Sequence, residues 1–368
     1  MTAPTLQTLG ATCPLSDKSL AQLRALFPTV HYYPKEDIPL ELLAQCDVLY
    51  ANPGGLPPHV TDIAQVPRLV HLQLRCAGAD KVLQHPALRP LLDQGKEPPF
   101  TLATSSGLHT IAIPQYIIGT ALALYHRLQQ QILFTKNEKR WPSHADVVGD
   151  TGDWFPPSVN EYNYYGRSLR GRTVGMLGYG HIAREAARLF QTFGCTILAA
   201  NTAGKPRVDE GFFYPGTGDK DGHIPQAYYS TADEEGMKDF YRKTDILVAS
   251  LPGTEKTKGY LTEDKLALLK PYAAFINVGR GSLVSSEALL ARLNAKEGMC
   301  GVALDVTNPE PLPAGHPLYS HPRAIITPHV SGVGEGEFEI AVDVFEFNVQ
   351  RLRDGEGIGH PVGWLRGY

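Results

Sequence analysis

Three short motifs carry side chains that work together in one kind of chemistry. FINVGRG (275–281) presents Arg280, ALDVTNPEPLP (303–313) presents Asp305 and Glu310, and IITPHVSG (325–332) presents His329. A guanidinium binds a carboxylate as a fork and polarises a neighbouring carbonyl oxygen. An imidazole delivers a proton to that oxygen, and a carboxylate beside it stabilises the imidazolium. Arginine, carboxylate and histidine in this grouping suit hydride transfer to a 2-keto acid, with His329 as acid and, in reverse, as base. Each residue has an ordinary alternative: Arg280 pairing with an acid, Glu310 solvated in a proline-rich loop, His329 as one structural histidine among 13. Their shared placement, each just beyond an apolar strand-like run, favours the chemical reading.

The elements that must position them begin at about Thr173. Apolar runs TVGML (173–177), TILAAN (196–201), ILVAS (246–250), AFINV (274–278), GVALDV (301–306) and AIITP (324–328) alternate with helical patterns. Strand–helix alternation of this length predicts a doubly wound, mostly parallel sheet. Ligands of such sheets bind outside the carboxyl ends of the strands, where Arg280, Glu310 and His329 all emerge. In HIAREAARLFQTFG, residues Ile182, Ala186, Ala187, Phe190 and Phe193 share a helix face and Gly194 supplies the stop. Before this region VLYAN (48–52), LVHLQLR (69–75) and TLATSS (101–106) predict a smaller α/β domain. The expected division is a substrate domain of residues 1–135 completed by 334–368, and a dinucleotide domain of 136–333. Residues 138–170, polar, aromatic and turn-rich, read as the connection between them, and 204–230 as an irregular stretch longer than a usual strand-to-helix loop.

VGMLGYGHIA contains Gly178-x-Gly180-x-x-Ala183 directly after a predicted strand and opening a predicted helix. Gly178 permits the tight turn, Gly180 lets backbone approach a pyrophosphate, and Ala183 lets the helix pack close. Tyr179 belongs to the same turn, and the amides of His181 and Ile182 would face phosphate at the helix N-terminus; the His181 side chain reads as exposed. The next strand ends 23 residues after Gly178 in Asn201, where an acid would hold both ribose hydroxyls of NAD and repel a 2′-phosphate. Asn201 removes that repulsion, and Thr202, Lys205 and Arg207 offer donors and positive charge, so NADP is favoured over NAD.

Bulk properties exclude several classes. The chain has 368 residues, 34 Lys+Arg against 38 Asp+Glu and a formal net charge of −4, with no basic excess for nucleic acid. The cysteines, Cys13, Cys46, Cys76, Cys195 and Cys300, are scattered and odd in number, which fits reduced thiols in a cytoplasmic protein better than a disulfide framework or a zinc site. The N-terminus has no signal-peptide pattern, and IAIPQYIIGTALALYHRL, the most apolar segment, is too short to span a bilayer. No H-E-x-x-H and no G-x-S-x-G is present, which disfavours a metal or serine hydrolase.

Taken together, GRTVGMLGYGHIA, LPGTEKTKGYL, FINVGRGSLV, LDVTNPEPLP and TPHVSG make the sequence resemble the D-isomer-specific 2-hydroxyacid dehydrogenases, from about Val48 onward. The resemblance implies two doubly wound α/β domains, a Rossmann dinucleotide-binding domain and a smaller flavodoxin-like substrate domain. It implies Arg280, Glu310 and His329 as catalytic residues, Asp305 holding the nicotinamide carboxamide, and Val278 and Gly279 lining its pocket. Leu251, Pro252 and Thr257 would lie along the adenosine half, and Ala77 and Gly78 of RCAGAD would grip the substrate carboxylate with Arg280. GLHTIAIPQYIIGTALALYHRL resembles the family's subunit-pairing helix, implying a homodimer. A glyoxylate- or hydroxypyruvate-like substrate is expected, with a bulkier 2-keto acid or a dinucleotide-sensing corepressor as alternatives. Two features depart from the family: Asn201 in place of the usual acid, and the long 204–241 segment.

Overall fold

The computed structural model describes residues 4–35, 37–143, 145, 146, 156 and 166–365. The chain divides into two units, Met1–His109 with Glu210–Gly216 and Gly334–Tyr368, and Thr110–Asp209 with Thr217–Val333. Most of the expected connection at 138–170 lies outside the described residues.

In the first unit a parallel sheet runs in the order β2-β1-β3-β4-β5, with β1 Thr8–Ala11, β2 Thr29–Tyr32, β3 Val48–Ala51, β4 His71–Leu74 and β5 Thr101–Ala103. This is the flavodoxin-type order. β1, β3 and β4 are buried at every position, because helices cover both faces of a parallel sheet. The C-terminal helix Glu337–Arg353 belongs to this unit. Its Phe345 packs against Tyr50 and Phe27, and its Asp343 and Glu346 accept hydrogen bonds from Gln22. β1 and β2 are additions to the sequence reading: each is four residues long, and β2 is a half-exposed edge with little apolar signal.

The second unit holds a parallel sheet of seven strands in the order β12-β11-β10-β9-β6-β7-β8. These are β6 Thr173–Leu177, β7 Thr196–Asn201, β8 Ala227–Ser230, β9 Ile246–Ala249, β10 Ala274–Asn277, β11 Gly301–Leu304 and β12 Ala324–Ile326. Counted from β6 the order is that of a Rossmann sheet with one further edge strand, and it reverses between β6 and β9. β8 corrects the reading of 204–230 as irregular throughout: AYYS is a half-buried edge strand paired with β7.

The helix Ala112–Tyr125 lies in the second unit, so the division falls at His109/Thr110 rather than near 135. Its Ile117, Ala121, Leu124 and Tyr125 join the core on one face of the large sheet, which ties it there. In the helix His181–Thr192, Ala186, Ala187 and Phe190 are buried as expected. Phe193 is 40% exposed, because the helix has already ended and Gly194 turns the chain at φ +77°. No helix among the described residues is long and apolar enough to cross a membrane.

Candidate active site

The sheet order sets the site. β10, β11 and β12 are neighbours and parallel, so the loops carrying Arg280, Glu310 and His329 leave the same edge side by side. Arg280 follows β10 at the head of a short turn, Gly281–Leu283; the buried Asn277 donates to its carbonyl at 3.1 Å, and its stem lies against Gly253. A Cβ at Gly281 would stand 1.8 Å from the Thr307 carbonyl oxygen, so the Arg280 loop abuts the loop leading to Glu310. The two loops touch because residue 281 has no side chain.

His329 Nδ1 lies 2.6 Å from Glu310 Oε1, with both side chains partly open to solvent. A carboxylate only accepts, so Nδ1 carries a hydrogen toward Glu310 and Nε2 is the nitrogen left to exchange a proton. His329 has φ +57°, a left-handed conformation unusual for a residue with a side chain, and its amide donates to the carbonyls of Asp305 (2.9 Å) and Thr327 (3.0 Å).

Asp305, buried at the end of β11, grips the histidine loop. Its Oδ1 accepts from Thr327 Oγ1 (2.6 Å), Val330 N (2.9 Å) and Ser331 N (3.1 Å), and its Oδ2 from the amide and hydroxyl of Ser331. Tyr116, on the helix Ala112–Tyr125, sits 2.9 Å from Thr327 Oγ1, and burial pushes its hydroxyl pKa up to about 12. Thr327, Ser331 and Tyr116 were not legible as site residues. Only the polar character of TPHVSG hinted at them, and nothing in the spacing ties Tyr116 to residue 327.

At the glycine turn, Gly178 has φ +92°, and a Cβ there would meet Leu251 at 3.1 Å; a Cβ at Gly279 would meet the Leu251 carbonyl oxygen at 2.6 Å. The loops after β6, β9 and β10 therefore touch through backbone, bringing Gly178, Leu251, Val278 and Gly279 together. Gly180 differs: a Cβ there meets nothing within 4 Å, and no side chain caps the helix that starts at His181. An open glycine in front of uncapped helical amides fits a dinucleotide pyrophosphate. Pro252 and Thr257 close a turn after β9, with Thr257 Oγ1 donating to the Pro252 carbonyl at 2.7 Å.

Two side chains in this region are committed inward. His181 is buried, not exposed, with Nε2 3.9 Å from the buried Asp209. Tyr179 is buried, donates to Asp219 at 2.8 Å and stacks edge-on against Tyr228; burial and the neighbouring carboxylate raise its pKa. Asn201 bridges its own loop, accepting from Gly204 N at 2.7 Å and donating to the Lys205 carbonyl at 2.9 Å, while Thr202, Lys205 and Arg207 are exposed. Ala77 and Gly78 follow β4 in the first unit, where the Gly78 carbonyl faces the Cys76 thiol.

Comparison with known proteins identifies the family and fold. Residues 135–331 match the D-isomer specific 2-hydroxyacid dehydrogenase, NAD binding domain. The chain is 27% identical over 288 residues to glyoxylate/hydroxypyruvate reductase A of Yersinia enterocolitica, covering 76% of this chain and 78% of that one. A D-isomer specific 2-hydroxyacid dehydrogenase family protein from Aeromonas salmonicida superposes with a TM-score of 0.71 at 22% identity, covering 98% of this chain and 100% of that one. The Xanthobacter autotrophicus D-isomer specific 2-hydroxyacid dehydrogenase, solved with NADPH and MES, superposes with a TM-score of 0.71 at 21% identity, covering 99% and 100%. With the nucleotide-binding sheet, the glycine turn and this match over more than half its length, the chain belongs to the D-isomer specific 2-hydroxyacid dehydrogenases and is a nicotinamide-dinucleotide oxidoreductase.

Proposed function

We propose that this enzyme reduces a small 2-keto acid, glyoxylate- or hydroxypyruvate-like, to the D-2-hydroxy acid, with NADPH preferred over NADH. The observation that carries the reading is the 2.6 Å contact between His329 and Glu310, with the Glu310 loop lying between that of His329 and that of Arg280 in the sheet order. A bound reduced nicotinamide supplies the hydride. The chain supplies the rest. Arg280 holds the substrate carboxylate and polarises the keto oxygen, and Ala77 and Gly78 are proposed as further carboxylate contacts through their amides. His329, oriented through Nδ1 by Glu310, gives the proton on Nε2 to the keto oxygen as it becomes a hydroxyl, and Glu310 balances the imidazolium. Gly178, Gly180 and the amides of His181 and Ile182 are the proposed pyrophosphate contacts, with Leu251, Pro252, Thr257, Val278 and Gly279 along the cofactor.

The NADPH preference rests on Asn201 in place of an acid, with exposed Lys205 and Arg207 nearby. The Xanthobacter complex with NADPH supports the same choice of cofactor, and the relative from Yersinia named for glyoxylate and hydroxypyruvate supports a small keto acid. We further propose a cytoplasmic homodimer. The helix Leu128–Glu138 buries none of its residues and exposes Leu128, Ile132 and Leu133, an apolar face suited to a second copy. The deciding experiment follows nicotinamide absorbance with glyoxylate, hydroxypyruvate and bulkier 2-keto acids, using NADPH and NADH separately. Fastest turnover is expected with a small keto acid and NADPH. Cofactor fluorescence quenching without consumption of any keto acid would overturn the reading.

A further inference from the structure

We propose that Thr327, Ser331 and Tyr116 are positioning residues for the proton-transfer histidine, acting through the Asp305 carboxylate. The inference rests on the reading of His329 as the acid. Its physical basis is that Asp305 ties the loop down on both sides of residue 329. Thr327 lies before the histidine, Val330 and Ser331 after it, and all three donate to that one carboxylate. The histidine's own amide donates to the backbone carbonyl of Asp305 at 2.9 Å. Asp305 is itself fixed, because it directly follows a fully buried strand and its amide donates to the Asn277 carbonyl of β10 at 3.1 Å. A left-handed backbone at His329 persists only when its surroundings over-determine it, and this set of bonds does so.

The direction of the outer bonds follows from donor counting. Thr327 has one hydroxyl hydrogen, and the acceptor-only carboxylate 2.6 Å away takes it. Tyr116 therefore donates to Thr327 at 2.9 Å, giving a chain from Tyr116 through Thr327 to Asp305 in which each bond polarises the next. Both carboxylate oxygens are engaged by the loop that carries His329. Tyr116 brings the apolar helix Ala112–Tyr125 into the same chain.

The test uses the full-length protein with Thr327→Val, Thr327→Ser, Ser331→Ala and Tyr116→Phe. Two readouts are taken: steady-state kinetics with NADPH and glyoxylate, and the His329 ring resonance of the cofactor-free protein, assigned by its loss in His329→Asn. Thr327→Val and Ser331→Ala are expected to lower kcat about tenfold, with the KM for NADPH within about twofold, and to raise the solvent deuterium effect on kcat as proton delivery becomes limiting. The ring resonance should shift or broaden in both variants. Thr327→Ser, which keeps the hydroxyl, should restore both readouts, and Tyr116→Phe should give a smaller change in the same sense. An unmoved ring resonance with unchanged kcat in Thr327→Val and Ser331→Ala would overturn the proposal, as would Thr327→Ser falling as far as Thr327→Val. A resonance that moves as expected in a protein that reduces no keto acid would instead leave the positioning intact and remove the redox reading.

Discussion

Glu310 determines which nitrogen of His329 can do chemistry. Replacing it with Gln removes the negative charge and allows the ring to reverse its donor and acceptor nitrogens, since an amide both gives and accepts. Glu310→Gln is expected to lower kcat/KM for keto-acid reduction about 10²-fold, and His329→Asn about 10³-fold or more, each leaving the fluorescence-measured Kd for NADPH within about twofold. Equal losses in turnover and cofactor binding would assign both residues to architecture. Asn201 makes a second prediction at this scale. Asn201→Asp brings back an acid that repels a 2′-phosphate, so the ratio of kcat/KM for NADPH over NADH should fall at least about tenfold. The Lys205 carbonyl loses its donor in that variant, so Asn201→Ser, which removes the same donor without adding charge, is the control; a fall in the ratio only in the Asp variant isolates the charge. Residue types were legible here because a guanidinium, a carboxylate and an imidazole each follow a strand end. Partners were not. Nothing in the letters shows that Asp305 spends its oxygens on the loop of His329, or that His181 faces Asp209.

At the scale of elements, Arg207 and residues 218–220 are held by the glycine-turn helix. Arg184, buried on the glycine-turn helix, donates to the carbonyls of Asp219, Lys220 (3.2 Å) and Arg207 (2.8 Å), and its guanidinium lies over the Tyr179 ring. Glu185, one residue on, accepts from Gly218 N at 2.6 Å. Arg184→Met would fill much of the volume while leaving those carbonyls without their donor and Asp209 without a nearby guanidinium. A loss of about 3 kcal/mol in urea denaturation is expected, with faster protease cleavage between Arg207 and Gly222. Stability and cleavage like the wild type would mean that the segment is held elsewhere. This arrangement explains what the sequence could and could not say of the fold. β6, β7, β9, β10 and β11 were readable because continuous apolar runs bounded by turns mark strands buried on both faces. β1, β2 and β8 are short or edge strands whose composition barely differs from a loop's, and a segment pinned by a distant arginine has no periodicity at all.

At the scale of the whole chain, burial of histidines couples stability to acid. His71 is completely buried on β4, with Nδ1 2.8 Å from Thr101 Oγ1 and Nε2 3.2 Å from Gln73, and burial lowers its pKa from 6.5 to about 4. His85, in the same unit, and His321, in the other, are also lowered by burial. Between those two pH values the unfolded chain binds the His71 proton and the folded chain does not, so stability falls as the pH drops through that window and is fully present above it. The shift of His71 corresponds to a loss on the order of 3 kcal/mol, complete at about pH 4. Glu337 acts in the opposite sense, because burial raises its carboxyl pKa and its protonation in acid favours the folded state. Denaturation midpoints measured from pH 7.5 to 4 should therefore decline most steeply below about pH 6.5, with hydrogen exchange rising first in β4 and β5. His71→Gln removes the titrating group and should flatten the decline, at lower stability throughout. A decline equally steep in that variant would move the acid sensitivity away from the buried network of β4 and onto the other lowered histidines.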